Sequence, residues 1–218
     1  TFTEDDVSTK AWAVFADASF DVSKDISVSV GGRYTEDERK ASVLRQIYLG
    51  VAGSPGMGNP GAVLFRTDTN LTNGELQRTD RKFTPRISIG WKASQDQNLY
   101  ASISQGFKGG SFDPRLNLVG TRLTVAKAKE GFAPETITTY ELGLKSSFDG
   151  GRILTNAALF HSNYKDVQIP GSVAIDTNGD GITDRFAGVT TNAGKARING
   201  FELEALARVT KDFSLSGM

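Results

Sequence analysis

The sharpest chemical signal in this 218-residue sequence is the run Asp176-Thr177-Asn178-Gly179-Asp180-Gly181-Ile182-Thr183-Asp184. Its oxygen side chains at positions one, three, five and nine, with glycine at six for a sharp turn, reproduce the first part of a calcium loop. The Ile182 carbonyl at position seven completes a candidate calcium set of Asp176, Asn178, Asp180, Ile182 and Asp184. Position twelve is Ala187 and not the bidentate glutamate of a full EF-hand. A calcium site and a solvated acidic loop therefore both stay open.

Other chemistry is sparse. With no cysteine and a single histidine, thiolate metal sites, disulfides, cysteine nucleophiles and histidine metal clusters are excluded. No serine-centred motif accompanies His161, which reads as a lumen or rim side chain, and no enzyme activity is expected. Glu141 with Lys145, and Glu202 with Glu204, share a strand face and fit luminal charges better than an acid pair. Glycines 53, 56, 58 and 61 lack the Gly-Lys-Ser/Thr of a phosphate loop and read as a surface loop. The 25 basic and 25 acidic residues cancel, which gives no electrostatic case for nucleic acid as a partner.

The elements that must position these groups are strands. Ile26, Val28, Val30 and Tyr34 alternate with Ser27, Ser29, Gly31 and Arg33, and Phe83, Pro85, Ile87, Ile89 and Trp91 alternate with Thr84, Arg86, Ser88 and Gly90. The same period recurs in Leu99 to Phe107, Tyr140 to Phe148 and Phe201 to Ala207. Trp12 to Phe20 follows it with Phe15 out of phase, while Ala157-Ala158-Leu159-Phe160 leaves the facing of its strand open. The pattern predicts strands at about 10–21, 25–37, 80–93, 97–108, 134–148, 152–166 and 194–209, with an eighth from Phe213.

Tight turns alternate with long connections at about 38–79, 109–133 and 167–193, the asymmetry of outer-membrane barrels. Bulky outer-face residues also recur eight apart, in Trp12 and Phe20, Ile26 and Tyr34, Phe83 and Trp91, Leu99 and Phe107, and Tyr140 and Phe148. Eight steps of ~3.3 Å tilted by ~40° span ~20 Å, close to the ~25 Å apolar band between two aromatic girdles. The opposite face carries Asp17, Arg33, Arg86, Lys108, Glu135, Glu141, Lys145, Glu202 and Glu204, which suits a hydrated or polar-filled lumen. The residues thus give an all-β fold, in which part of a large antiparallel transmembrane β-barrel over residues 1–218 and a soluble β-sandwich with these aromatics in its core both stay open. No apolar run reaches the ~18 residues of a membrane-spanning helix.

Four segments resemble the barrel of TonB-dependent outer-membrane receptors, in family order. They are Gly31-Gly32-Arg33-Tyr34-Thr35-Glu36-Asp37, Phe83-Thr84-Pro85-Arg86 with Gln105-Gly106-Phe107-Lys108-Gly109-Gly110, Pro134-Glu135-Thr136 with Tyr140-Glu141-Leu142-Gly143-Leu144-Lys145, and Asn192-Ala193-Gly194 with Asn199-Gly200-Phe201-Glu202-Leu203-Glu204. The resemblance implies that 7–8 strands of a barrel of about 22 are present, with short periplasmic turns and long extracellular loops. It further implies a plug and coupling segment outside this chain, a TonB-type energy-coupling complex as partner, and outer-membrane lipid around the barrel. The implied ligand is a scarce, bulky small molecule, most commonly a ferric siderophore. A passive porin and a calcium-dependent surface-binding barrel are the alternatives.

Overall fold

The computed structural model describes residues 2–50, 63–115, 125–176, 181–183 and 185–218. The strands are β1 (Phe2–Asp21), β2 (Ile26–Gly50), β3 (Val63–Lys92), β4 (Gln97–Lys108), β5 (Glu135–Phe148), β6 (Ile153–Lys165), β7 (Gln168–Ile175), β8 (Arg185–Asn192), β9 (Lys195–Arg208) and β10 (Ser214–Gly217), with helix α1 (Val125–Glu130) between β4 and β5. Eight strands form one antiparallel sheet in the order β1-β2-β3-β4-β5-β6-β9-β10, and β7 pairs β8 in a separate hairpin. Next-neighbour pairing follows from the short turns at one end. β1 and β10 are not paired with each other, so the sheet is open in this chain.

Cross-strand register fixes the two faces. Phe20, Val28, Ile89, Ala101, Leu142, Leu159 and Phe201 lie in one row. Most of these side chains are large, apolar and solvent-accessible: Phe20 is 59% exposed, Leu159 56% and Phe201 62%. The facing of β6 is settled by its partners. Leu159 pairs with outward Leu142, and Phe160 pairs with Gly200 on the other wall.

The aromatic girdles are not level with these rows. Measured from the Phe20 row, Trp91 sits two residues nearer the short turns, Phe148 six, and Phe213 eight. At ~3.3 Å per residue and ~4.8 Å per strand, a drop of about 26 Å over about 34 Å corresponds to a strand tilt of about 40°, inside the range of membrane barrels. The upper aromatics descend in parallel, from Trp12 through Tyr34 and Phe83 to Tyr140. A band of constant height thus winds across the sheet.

Three close approaches key the register. The Phe83 ring covers Gly32, the Tyr100 ring covers Gly143, and the Phe160 ring covers Gly200, each occupying the space a Cβ would need. Aromatic rings over cross-strand glycines shield backbone that the missing side chain leaves bare.

Three expected boundaries are corrected. β2 continues to Gly50 and β3 begins at Val63, so most of the 38–79 connection is an extension of the hairpin. β1 likewise begins at Phe2 and not near residue 10. Past the upper aromatics the outer face is no longer apolar, so the period-two signal vanishes while the strands go on. The 109–133 connection holds α1, and the 167–193 connection holds β7 and β8. Among the described residues, no helix is long and apolar enough to cross a membrane.

Candidate functional site

Beyond the upper girdle the inward faces of β2 and β3 carry the buried core of the described residues: Ala41, Val43, Leu71 and Leu76, packed with Phe112 and with Ala128 of α1. Leu76 is fully buried. Sequence reasoning missed this cluster because its apolar residues face inward while their strand neighbours Lys40, Ser42 and Gln77 are polar and outside. Phe112 and Ala128 reach it from the 109–133 segment, far away in sequence.

Charged pairs line the base of this cap. Asp37 pairs across the strands with Asp80, and Arg39 with Arg78. Arg39 reaches Asp37 at 3.2 Å, and Arg78 grips Asp80 with its Nη2 2.7 Å from Oδ1. Gly109 and Gly110, which end the Gly-Phe-Lys-Gly-Gly segment, lie directly on these pairs. A Cβ at Gly110 would collide with the Arg78 guanidinium and the Phe132 carbonyl, and one at Gly109 would come within 2.5 Å of Asp37 Oδ2. The Gly110 N–H donates to Asp80 Oδ2 at 2.8 Å, and Arg78 Nη1 donates to the carbonyls of Glu130 and Phe132.

A second node ties the remaining loops together. Arg115 donates to Asp113 from its guanidinium and its backbone N–H, and the Thr190 hydroxyl of β8 donates to Asp113 Oδ2 at 2.8 Å. Burial pushes the Asp113 carboxyl up, but the hydrogen bonds from Arg115 and Thr190 outweigh it and hold the group below its ordinary value of 3.8. Arg45 Nη1 donates to the Arg115 carbonyl at 2.6 Å. Gln168 of β7 donates from its side chain to the carbonyls of Gly109 and Ala133, and its N–H donates to Glu135. Arg39 Nε, Arg45 Nε and Asp37 Oδ1 are buried with no partner among the described residues. These are the groups a ligand or a neighbouring domain would satisfy.

Below the cap, the inner wall is polar. The Tyr100 hydroxyl donates to Glu141 at 2.7 Å, Lys145 lies 5.6 Å from the Tyr100 ring centroid, and Asn156 donates to Glu204 at 3.3 Å. Glu141 and Lys145 thus share Tyr100, while Glu204 is held by Asn156. Of the lumen or rim placement expected for His161, the lumen half is corrected. His161 pairs with Tyr140 and Asn199 on the outer face, with Nδ1 2.6 Å from Asn199 Oδ1.

Of the candidate calcium set, Asn178, Asp180 and Asp184 lie outside the described residues, as do the glycines at 53–61. Asp176 follows β7, Ile182 is exposed, and the Gly181 N–H donates to Asp176 Oδ2 at 2.7 Å. Gly181 takes the left-handed conformation, φ 87°, that the sharp turn requires. Among the described residues no group of three metal-binding side chains is assembled.

An antiparallel, tilted sheet with an apolar outer band, two winding girdles and a polar inner wall defines an outer-membrane β-barrel protein. The chain matches the family described as TonB dependent receptor-like, beta-barrel, over residues 1–217, and belongs to it. It is 30% identical over 161 residues to the metal-pseudopaline receptor CntO of Pseudomonas aeruginosa, which covers 70% of this chain and 19% of that protein. To the pesticin receptor of Yersinia pestis it is 29% identical over 136 residues, 62% of this chain and 17% of the relative. The chain thus spans about a fifth of the length of these relatives.

Solved structures agree in fold. The ferric-catecholate import receptor Fiu of Escherichia coli K12 superposes with a TM-score of 0.63 at 18% identity, over 95% of this chain and 26% of that one. The copper transporter OprC gives 0.61 at 18% identity, over 94% and 27%. Family and fold are those of transport receptors.

Proposed function

We propose that this chain is the loop-bearing sector of a receptor that imports an anionic metal chelate, a ferric siderophore first among them, with energy delivered through a plug domain encoded elsewhere in the protein. The Nε N–H groups of Arg39, at the base of the cap, and of Arg45, beyond Val43, have no partner among the described residues and carry this reading. Arginine donors in a water-poor site recognise the carboxylate and phenolate oxygens of a chelate bidentately. The relative named as a metal-pseudopaline receptor agrees with this ligand class.

The test is uptake of radiolabelled ferric chelates by cells carrying the full-length receptor. Uptake is expected to stop when a protonophore collapses the inner-membrane gradient, and Arg45→Ala is expected to raise the half-saturating concentration about tenfold or more, since charged hydrogen bonds contribute ~1.5–3 kcal/mol each. Uptake that persists without the gradient would instead establish a passive channel.

The hydrogen bond from Gly181 to Asp176, with the left-handed Gly181, favours a second role for the 176–184 loop as a calcium-ordered element. Calorimetric titration of the full-length receptor with calcium checks it. Binding heat that Asp180→Ala removes supports the role, and no heat at millimolar calcium abolishes it.

A further inference from the structure

The outer wall of β4, β5, β6 and β9 differs from the rest of the band in both shape and charge. A depression of about 740 Å³ is centred on the small side chain of Ala101 and walled by Ile87, Ile89, Ile103, Leu142 and Leu159. At its upper end stand Tyr140, His161 and Asn199, paired in one row two residues above the Phe20 row. Because the girdle descends about one residue per strand, this row has reached girdle height by β6, so these polar groups sit at the interface and not in hydrocarbon. The contact with Asn199 Oδ1 makes His161 Nδ1 the donor and leaves Nε2 for a second partner.

Continuing upward on the same face, Asn163 pairs with Arg197, and Lys165 pairs with Lys195. Lys165, Lys195 and Arg197 are exposed and make no side-chain hydrogen bond or ion pair with any described residue. The acidic Asp166 lies just past the end of β6 in the left-handed conformation, φ 56°, and forms no ion pair with them. The β2–β3 sector at the corresponding height is different. Its Arg81 is held by Glu36 at 2.8 Å, and its Glu38 accepts from Gln77 at 2.9 Å.

We propose that this wall is a docking groove for one phosphate-bearing acyl lipid of net negative charge in the outer leaflet. An acyl chain lies along the Ala101 depression, ester or hydroxyl oxygens meet His161 and Asn199, and the phosphate meets Lys165, Lys195 and Arg197. The occupant follows from charge and depth. The depression opens into the hydrocarbon layer, the polar row lies at the interface, and three cations with no ion-pair partner among the described residues stand where headgroup phosphates are found. This site is on the outside of the barrel and is independent of the import ligand.

Native mass spectrometry of the full-length receptor, titrated with phosphatidylglycerol in mild detergent, tests the proposal. One lipid is expected to bind well above background. The Lys165→Ala, Lys195→Ala, Arg197→Ala triple variant is expected to weaken it about a hundredfold, from the typical contribution of basic side chains near an anionic surface. Ala101→Trp, which fills the groove, should also weaken binding, while Lys10→Ala should not.

Heat-modifiable migration on gels confirms that each barrel is folded, and Arg197→Gln alone, with a several-fold loss expected, replaces the triple variant if that one misfolds. Unchanged affinity in the charge variants would overturn the proposal, as would equal binding of phosphatidylcholine. Displacement by inorganic phosphate at the same concentration would show that charge alone is bound, and would overturn it too.

Discussion

The membrane band and the cap above it are continuous strands held together by different forces. In the band, no other layer of described residues covers either sheet face, and residues such as Phe20, Phe83 and Phe201 stay more than half exposed. Cohesion there comes from the backbone ladder, which hydrocarbon makes obligatory, and from the lipid that covers the apolar side chains. In the cap, where both faces meet water, the same strands turn apolar groups inward and bury Val43, Leu71 and Leu76 against Phe112 and Ala128. The bilayer replaces a core in one region, and the other must build its own.

That contrast can be broken first at Leu76. Leu76→Ala is expected to destabilise the cap by about 2–5 kcal/mol, as for other buried leucines. Hydrogen exchange should rise across 38–46, 69–80 and 125–132 while the rows through Leu142 keep their protection. Equal loosening of both regions would show that they fold as a single unit.

The next effect is in the band. Leu144→Arg, midway between Tyr140 and Phe148 on the outer face, is expected to cost about 2–4 kcal/mol in urea unfolding from liposomes, whereas Ser102→Arg on the inner wall should cost well under half of that. Equal costs would mean that the faces are assigned the wrong way round.

The smallest effect is the acid sensitivity of the Asp113 node. The folded carboxyl is the stronger acid, so the folded cap holds fewer protons there than the unfolded chain. Its stabilising contribution is complete above the ordinary value of 3.8 and fades as pH falls through the lower folded value. A loss of about 1 kcal/mol is expected, since Arg115 is well exposed. Asp113→Asn should remove this pH dependence in cross-linking between residues introduced at 111 and 191.

The same division explains what could be read in advance. β4, β5, β6 and β9 fall within a residue or two of their expected limits, because each begins and ends close to the apolar band. The Trp12–Phe20 and Phe83–Trp91 spacings marked both girdles correctly for the same reason. Beyond Asp37 no solvent of fixed polarity imposes a period, and strands such as Glu38 to Gly50 carry charges on both sides. Their pairing becomes visible only once Leu76 is seen to meet Phe112. Arg39 and Arg45 were equally hidden, as nothing local distinguishes an inward arginine from a solvated one. His161 reads as a lumen or rim side chain because Ala157-Ala158-Leu159-Phe160 fits either phase, and only the pairing of Phe160 with Gly200 turns it to the outer face.

The rings over Gly32, Gly143 and Gly200 have a consequence for how the barrel is assembled. A strand added one residue out of step would carry its glycine from under the ring and set a side chain there instead, while turning Glu141 or Glu202 toward hydrocarbon. Steric mismatch and charge exposure would reject the same error together. The three glycines thus act as a proofreading code for strand order, read as each hairpin enters the bilayer and before any loop has closed above it.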